Sequence, residues 1–270
     1  MRICNFFVVC VILIFPGFRL LGIESDQPPY RLRVGTYNVG HFNQGRLGGF
    51  QGEGKMMKAE LANWRKWIGE QSLDILATNE WNHYFDKDST LVAEEELLKP
   101  FYKDVYWGRE NRWIYNGIAT NHQLHNLHQV QWNGDYYALV GDLHLNGKVV
   151  KVISTHIPWQ KEWHDESLYD LIELLKQYEY FICMGDMNAK DGNQQKFLEA
   201  GFHMANGGAM GWFTTAQGNA ASSGYRGGEN INIDNIVTSS NIRIMDVSAP
   251  VTGLNDLDHL PVLADLVITW

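Results

Sequence analysis

The sequence predicts an α/β protein built as a four-layer sandwich, two packed mixed β-sheets flanked by helices. Three observations predict it: apolar, β-branched runs recur along the chain, helical stripes lie between some of them, and one Asn-Gly pair joins two runs as a hairpin. Nine strands are expected, at 31–39, 73–78, 114–120, 136–143, 148–155, 180–184, 231–238, 242–247 and 262–269. Between the first two, Met57, Leu61, Trp64 and Ile68 fall at i, i+4, i+7 and i+11, the spacing of one helix face. Leu168, Leu171, Ile172 and Leu175 make a second stripe before 180–184. Leu145-Asn146-Gly147-Lys148 reads as a type I′ turn, because Asn and Gly accept the positive φ that such a turn needs. The sheets are therefore partly antiparallel, and a purely alternating βαβ protein is disfavoured.

Composition bounds the function. The chain has 270 residues, is 45% hydrophobic, and carries 22 Lys+Arg against 31 Asp+Glu, a formal charge of −9. That excludes disordered and fibrous proteins and a polycation that coats nucleic acid by counterion release, but not a nuclease. Ten Trp leave enough rings to line a groove as well as fill a core. After Arg2, residues 3–15 form an apolar stretch shorter than the roughly 20 residues of a spanning helix, interrupted by Pro16, Gly17 and Arg19. Residues 1–24 are expected to be a signal peptide or N-terminal anchor and 28–270 one domain, exported to a secreted or periplasmic location. Cys4 and Cys10 fall in the leader, so Cys183 is left without a disulfide partner and reads as a small core residue.

Polar residues cluster at the strand exits, where a rigid scaffold presents groups for chemistry. Asn38 ends the first strand, Glu80 the second, and His156 follows Ser154-Thr155. Then come Met184-Gly185-Asp186-Met187-Asn188, Ile233-Asp234-Asn235-Ile236 and Asp258-His259-Leu260-Pro261. Any one of these is weak, since Asp before Asn is an ordinary turn former. In this order they resemble the endonuclease/exonuclease/phosphatase superfamily of metal-dependent phosphoesterases, over residues 31–269.

The chemistry explains the residue types. A phosphodiester anion repels hydroxide, so a hard cation on oxygen ligands must neutralise it and a base must prepare the water. The resemblance implies Glu80 as principal ligand of Mg²⁺ (or Mn²⁺), with Asn38 and Asp258 completing or supporting the site. It implies Asp186 orienting or deprotonating the water and Asn188 holding the water or a phosphate oxygen. His156 and His259 would bind the non-bridging oxygens, with Asp234 fixing the tautomer of His259 and raising its pKa. Thr214 or Thr215 would add a hydroxyl contact to substrate. Three departures stand out: Asn79 where Gln is usual, Asn232 where a base is common, and Leu257 where Ser is usual. The missing base weakens the rim that would grip a polyanion.

Other features have plainer readings beside functional ones. His122, His125 and His128 invite zinc, but that spacing spreads ligands over a helix or alternates strand faces, and a solvated loop is expected. Residues 159–164 could wall the site with Trp159 and Trp163 for stacking on a base, sugar or lipid head, or form a packed Ω-like loop. The five glycines of 45–54, with Arg46 and Lys55, read as a mobile surface loop more than a phosphate nest. Arg109, Arg112, Lys161, Lys190 and Arg226 are expected in loops, as a modest phosphate rim or ordinary surface charge.

The expectation is an exported hydrolase using in-line water attack without a covalent intermediate, working as a monomer with no obligate protein partner. DNA is its first-choice substrate; sphingomyelin, an inositol phosphate or another small phosphoester is the alternative. A non-catalytic binding module on the same scaffold is disfavoured, because a binder gains nothing from a full catalytic set.

Overall fold

The computed structural model describes residues 27–43, 47–111, 113–216, 231–255 and 258–270. Its strands are β1 (Tyr30–Asn38), β2 (Ile75–Asn79), β3 (Asp104–Trp107), β4 (Gly117–Thr120), β5 (Leu124–Gln131), β6 (Tyr137–Leu145), β7 (Lys148–His156), β8 (Phe181–Asp186), β9 (His203–Met204), β10 (Asp234–Thr238), β11 (Ile242–Ser248) and β12 (Val262–Ile268). The α-helices are α1 (Gly54–Gln71), α2 (Lys161–Leu175) and α3 (Asp191–Glu199). The strands form two six-stranded sheets, ordered β11-β12-β1-β2-β4-β3 and β5-β6-β7-β8-β10-β9.

Each sheet is mixed for the same reason. β1 runs parallel to β2 and β7 parallel to β8, while the other neighbours are antiparallel. A parallel pair needs a crossover, and α1 and α2 supply the two. Residue alternation then decides the layers. Leu32 and Val34 of β1 and Ile75 and Ala77 of β2 join a core shared with the second sheet, whereas Tyr37, Leu76 and Leu263 pack with Leu61, Trp64 and Ile68 of α1. The sheets thus meet face to face, with α1 outside one and α2 and α3 against the other. At the hairpin Asn146 and Gly147 have φ of 48° and 76°, and Leu145 pairs with Lys148, as a type I′ turn requires.

All nine expected strands are present, and three are added. β5 covers the histidine stretch expected as a solvated loop: His125 and His128 lie in an edge strand paired with β6, with a bulge between them. Its side chains are mostly exposed, which hid it from an apolar pattern. Two expected strands, β4 and β10, start three residues late. Chain 231–233 is drawn aside by the Thr215 segment, since Ile231 O accepts from the backbone of Thr215 and Ala216. Residues 159–164 are not an Ω-like loop, because Lys161 to His164 already form the first turn of α2; Lys161 is therefore helical. Arg109 is in a loop, paired with Asp135 at 3.5 Å. Of the glycine-rich loop, the described part is tied down: Asn43 and Gln51 both donate to Gly49 O, at 2.8 and 2.7 Å. Cys183 is free and buried. No helix among the described residues is long and apolar enough to cross a membrane. The leader, Arg46, Arg112, Arg226 and Leu257 lie outside the described residues.

Candidate active site

Two parallel strand pairs, one from each sheet, end at the same place. Asn38 of β1 sits in register with Asn79 of β2, and His156 of β7 with Asp186 of β8; Asp234, the first residue of β10, pairs with Asp186. The chain bends sharply as it leaves these strands. Glu80 and Asn188 take φ of 49° and 46°, left-handed values that cost a non-glycine residue stability and that turn both side chains into the cleft. Gly185 has φ of 149°, and a Cβ there would lie 1.8 Å from Thr155 O, so only glycine lets β8 approach β7 closely enough to align Asp186 with His156.

Asp186 is the centre. Its Oδ2 receives the Asn38 amide at 3.1 Å and lies 3.4 Å from His156 Nε2 and 3.7 Å from His259 Nε2. Its Oδ1 accepts the Asn188 backbone N–H at 2.8 Å. Asn38 also donates to Glu80 Oε1 at 3.1 Å, so one amide clamps two acids, while its own oxygen accepts from Gly40 N. As placed, Asn38 therefore turns its donor, not its oxygen, toward the acids. Asn188 donates to Ile157 O and lies 3.2 Å from His156 Nε2. His259 Nδ1 meets Asp234 Oδ2 at 2.9 Å, the expected pairing. Asp258 is buried beside them and acts electrostatically on Glu80 and His259.

Burial sets the protonation. Taking Asp186 and Glu80 out of water outweighs their attraction to His259 and pushes them up to about 8 and about 7. Burial, with help from His259 and His41, lowers His156 to about 3, so it is a neutral ring. For His259 burial acts downward too, but Asp234 and Asp186 together raise it well above the usual histidine value. The site thus holds one imidazolium among several carboxylates that are costly to ionise together.

Those costs fit a cation. Ligand atoms of Glu80, His156 and Asp186 lie within 4.8 Å of one another, as do those of Asp186, Asp234 and His259. Asp234 Oδ1 is buried with no hydrogen-bond partner. A hard divalent ion would supply the missing positive charge to this oxygen-rich set.

The remaining expected residues divide. Thr215 is fully buried, so in place of a substrate contact its hydroxyl receives Asp234 N–H at 3.0 Å. Thr214 beside it is half-buried. Trp159 is 68% exposed on the segment after His156. Sequence reasoning missed three supports. Asn79 receives Asp186 N–H at 3.1 Å and donates to Thr155 O and Asn116 Oδ1, which stitches β2 to both strands of the other sheet's parallel pair. Asn255 donates to Asn38 O at 3.0 Å. His41, buried, puts Nε2 3.5 Å from Glu80 Oε2. In the sequence Asn79 showed only as an amide at the end of the 75–78 run, standing where Gln is usual.

The sequence model of the Endonuclease/Exonuclease/phosphatase family matches residues 35–259. The chain belongs to that family. No curated protein matches the sequence. Solved structures of the family share the fold at low identity. An endonuclease/exonuclease/phosphatase from Bacteroides vulgatus superposes with TM-score 0.64 at 17% identity, covering 88% of this chain and 99% of its own. D. rerio TDP2 complexed with single-strand DNA product gives 0.63 at 12%, covering 87% and 98%. The human Nocturnin catalytic domain with bound sulfate gives 0.60 at 15%, covering 88% and 95%. The family's hydrolases are metal-dependent phosphoesterases, and the carboxylate and histidine cluster lies where this chain could hold the metal.

Proposed function

We propose that this chain is an exported, Mg²⁺-dependent phosphodiesterase acting on DNA by in-line attack of water. The observation that carries it is the convergence on Asp186 of Asn38, His156, His259 and Asn188 from both sheets. Glu80 would be the main holder of the cation, with Asp258 supporting it and Asn38 positioning the Glu80 carboxylate; bound Mg²⁺ or Mn²⁺ would neutralise the phosphate and stabilise charge developing on it. Asp186, its pKa brought near neutrality by burial, orients the water and takes its proton. Asn188 fixes that water from the other side. His259, held protonated by Asp234, donates to a non-bridging oxygen as negative charge grows there. His156, neutral, completes the wall and keeps Asn188 in place.

Two exposed rings suit the DNA reading. Trp113, 44% exposed, packs edge-on against His41, itself beside Glu80, and Trp159 is exposed three residues after His156; both offer faces for stacking a base. Export rests on the apolar leader in residues 1–24. The enzyme works as a monomer without an obligate protein partner.

The test is nicking of supercoiled plasmid by the mature chain in Mg²⁺, beside Asp186→Ala and an EDTA control. Cleavage by wild type alone supports the reading. Intact plasmid with a protein that still binds Mg²⁺ sinks the DNA assignment and turns to sphingomyelin, inositol phosphates and other small phosphoesters.

A further inference from the structure

His41 is the one buried histidine of this cleft to which the catalytic reading gives no role. Its ring is almost wholly enclosed, with Trp113 packed edge-on at 5.7 Å between ring centres. One ring nitrogen hydrogen-bonds the Trp81 backbone. The other, Nε2, has no hydrogen-bond partner, although it lies 3.5 Å from Glu80 Oε2. Glu80 therefore has two sides: Oε1 faces Asn38 and His156, and Oε2 faces His41.

This arrangement is held at a cost. Gly40, His41 and Phe42 are consecutive left-handed residues, with φ of 51°, 56° and 67°, and two of them have a Cβ. The turn is pinned to the site by His41 N–H donating to Glu80 O at 2.8 Å. It aims Nε2 at the carboxylate. A ring that keeps its proton on the nitrogen bonded to a carbonyl presents a lone pair at the other, the way metal-ligating histidines are oriented. Once Glu80 ionises, the lone pair and the carboxylate oxygen repel each other, and a cation that displaces the Glu80 proton removes that repulsion by lying between them.

We propose that His41 Nε2 is a nitrogen ligand to the cation held by Glu80, which makes this a mixed nitrogen and oxygen site that prefers Mn²⁺ to Mg²⁺. Imidazole binds first-row transition ions better than it binds Mg²⁺, which favours oxygen and water. The inference rests on the metal-dependent reading above and adds a ligand and a selectivity to it.

The experiment is calorimetric titration of Mn²⁺ and of Mg²⁺ into the metal-stripped mature chain, wild type and His41→Asn. Asn tolerates positive φ, so the turn is kept, and the melting temperature of the variant checks folding. The expected result is a fall of about 10-fold or more in Mn²⁺ affinity with Mg²⁺ affinity within about 3-fold of wild type. A nitrogen coupling in the spin-echo spectrum of bound Mn²⁺ should survive in His156→Gln and disappear in His41→Asn. Equal weakening of both ions, as a purely structural role would give, overturns the proposal, and so does Mn²⁺ binding that the variant leaves unchanged. Wild type binding neither ion would overturn the metal reading itself.

Discussion

Stripped of divalent cations, the protein should lose stability as pH rises from 6.5 to 9. In the unfolded chain Asp186 and Glu80 titrate near 3.8 and 4.5; in the folded chain burial lifts them to about 8 and about 7. Between those limits the folded state keeps protons that the unfolded state has released, so each step up in pH favours unfolding. His259, raised well above its usual value, acts with the same sign. His41 and His156, lowered to about 4 and about 3, act oppositely, but only below their ordinary value of 6.5. Above pH 6.5, Asp186 still has about 1.5 pH units to lose and Glu80 about half a unit. At about 1.4 kcal/mol per unit that comes to about 2–3 kcal/mol. For a chain of this size it corresponds to a fall in Tm of about 5–10 °C. Scanning calorimetry in EDTA across this range measures it, and added Mn²⁺ or Mg²⁺ should flatten the slope. Asp186→Asn should shrink it too, because it removes the larger contributor. A Tm that is level or rising between pH 6.5 and 9 without metal would refute the claim that these acids are kept protonated by burial.

Two further outcomes follow from the geometry. Asp234→Asn takes the carboxylate from 2.9 Å of His259 Nδ1, so turnover should fall by about 10²–10⁴-fold and the alkaline limb of the pH-rate profile should move down; an unmoved limb would detach His259 from the rate. Gly185→Ala places a Cβ 1.8 Å from Thr155 O and should cost on the order of 4 kcal/mol or more, read as lost soluble expression or a collapsed denaturation midpoint.

Much of this was legible because the core strands are apolar and bounded by turn residues. The sandwich followed from the two helical stripes and the Asn146-Gly147 hairpin, and the acids and histidines from their places at strand exits. β5 was missed because an edge strand exposed along most of its length carries His, Asn and Gln in place of an apolar alternation. α3 was missed because only Gln194 and Phe197 are buried, which leaves no periodic stripe. Asn79 stood out in the sequence as a departure, yet it is a strut between the sheets. Nothing short of three dimensions reveals that its partners lie near residues 116, 155 and 186. His41 was silent for a related reason: its meaning lies in a left-handed turn that brings it back over a glutamate 39 positions on.

The order of strands in the first sheet has a consequence for synthesis. β12, last in chain order, is inserted between β11 and β1, and the short segment before it carries Asp258 and His259. Asn38 emerges from the ribosome early, but the strand that carries it has no neighbour on one side until residues 262–268 have followed. A nascent chain thus lacks a complete site while it is being made, and phosphoester hydrolysis waits until β12 closes the sheet.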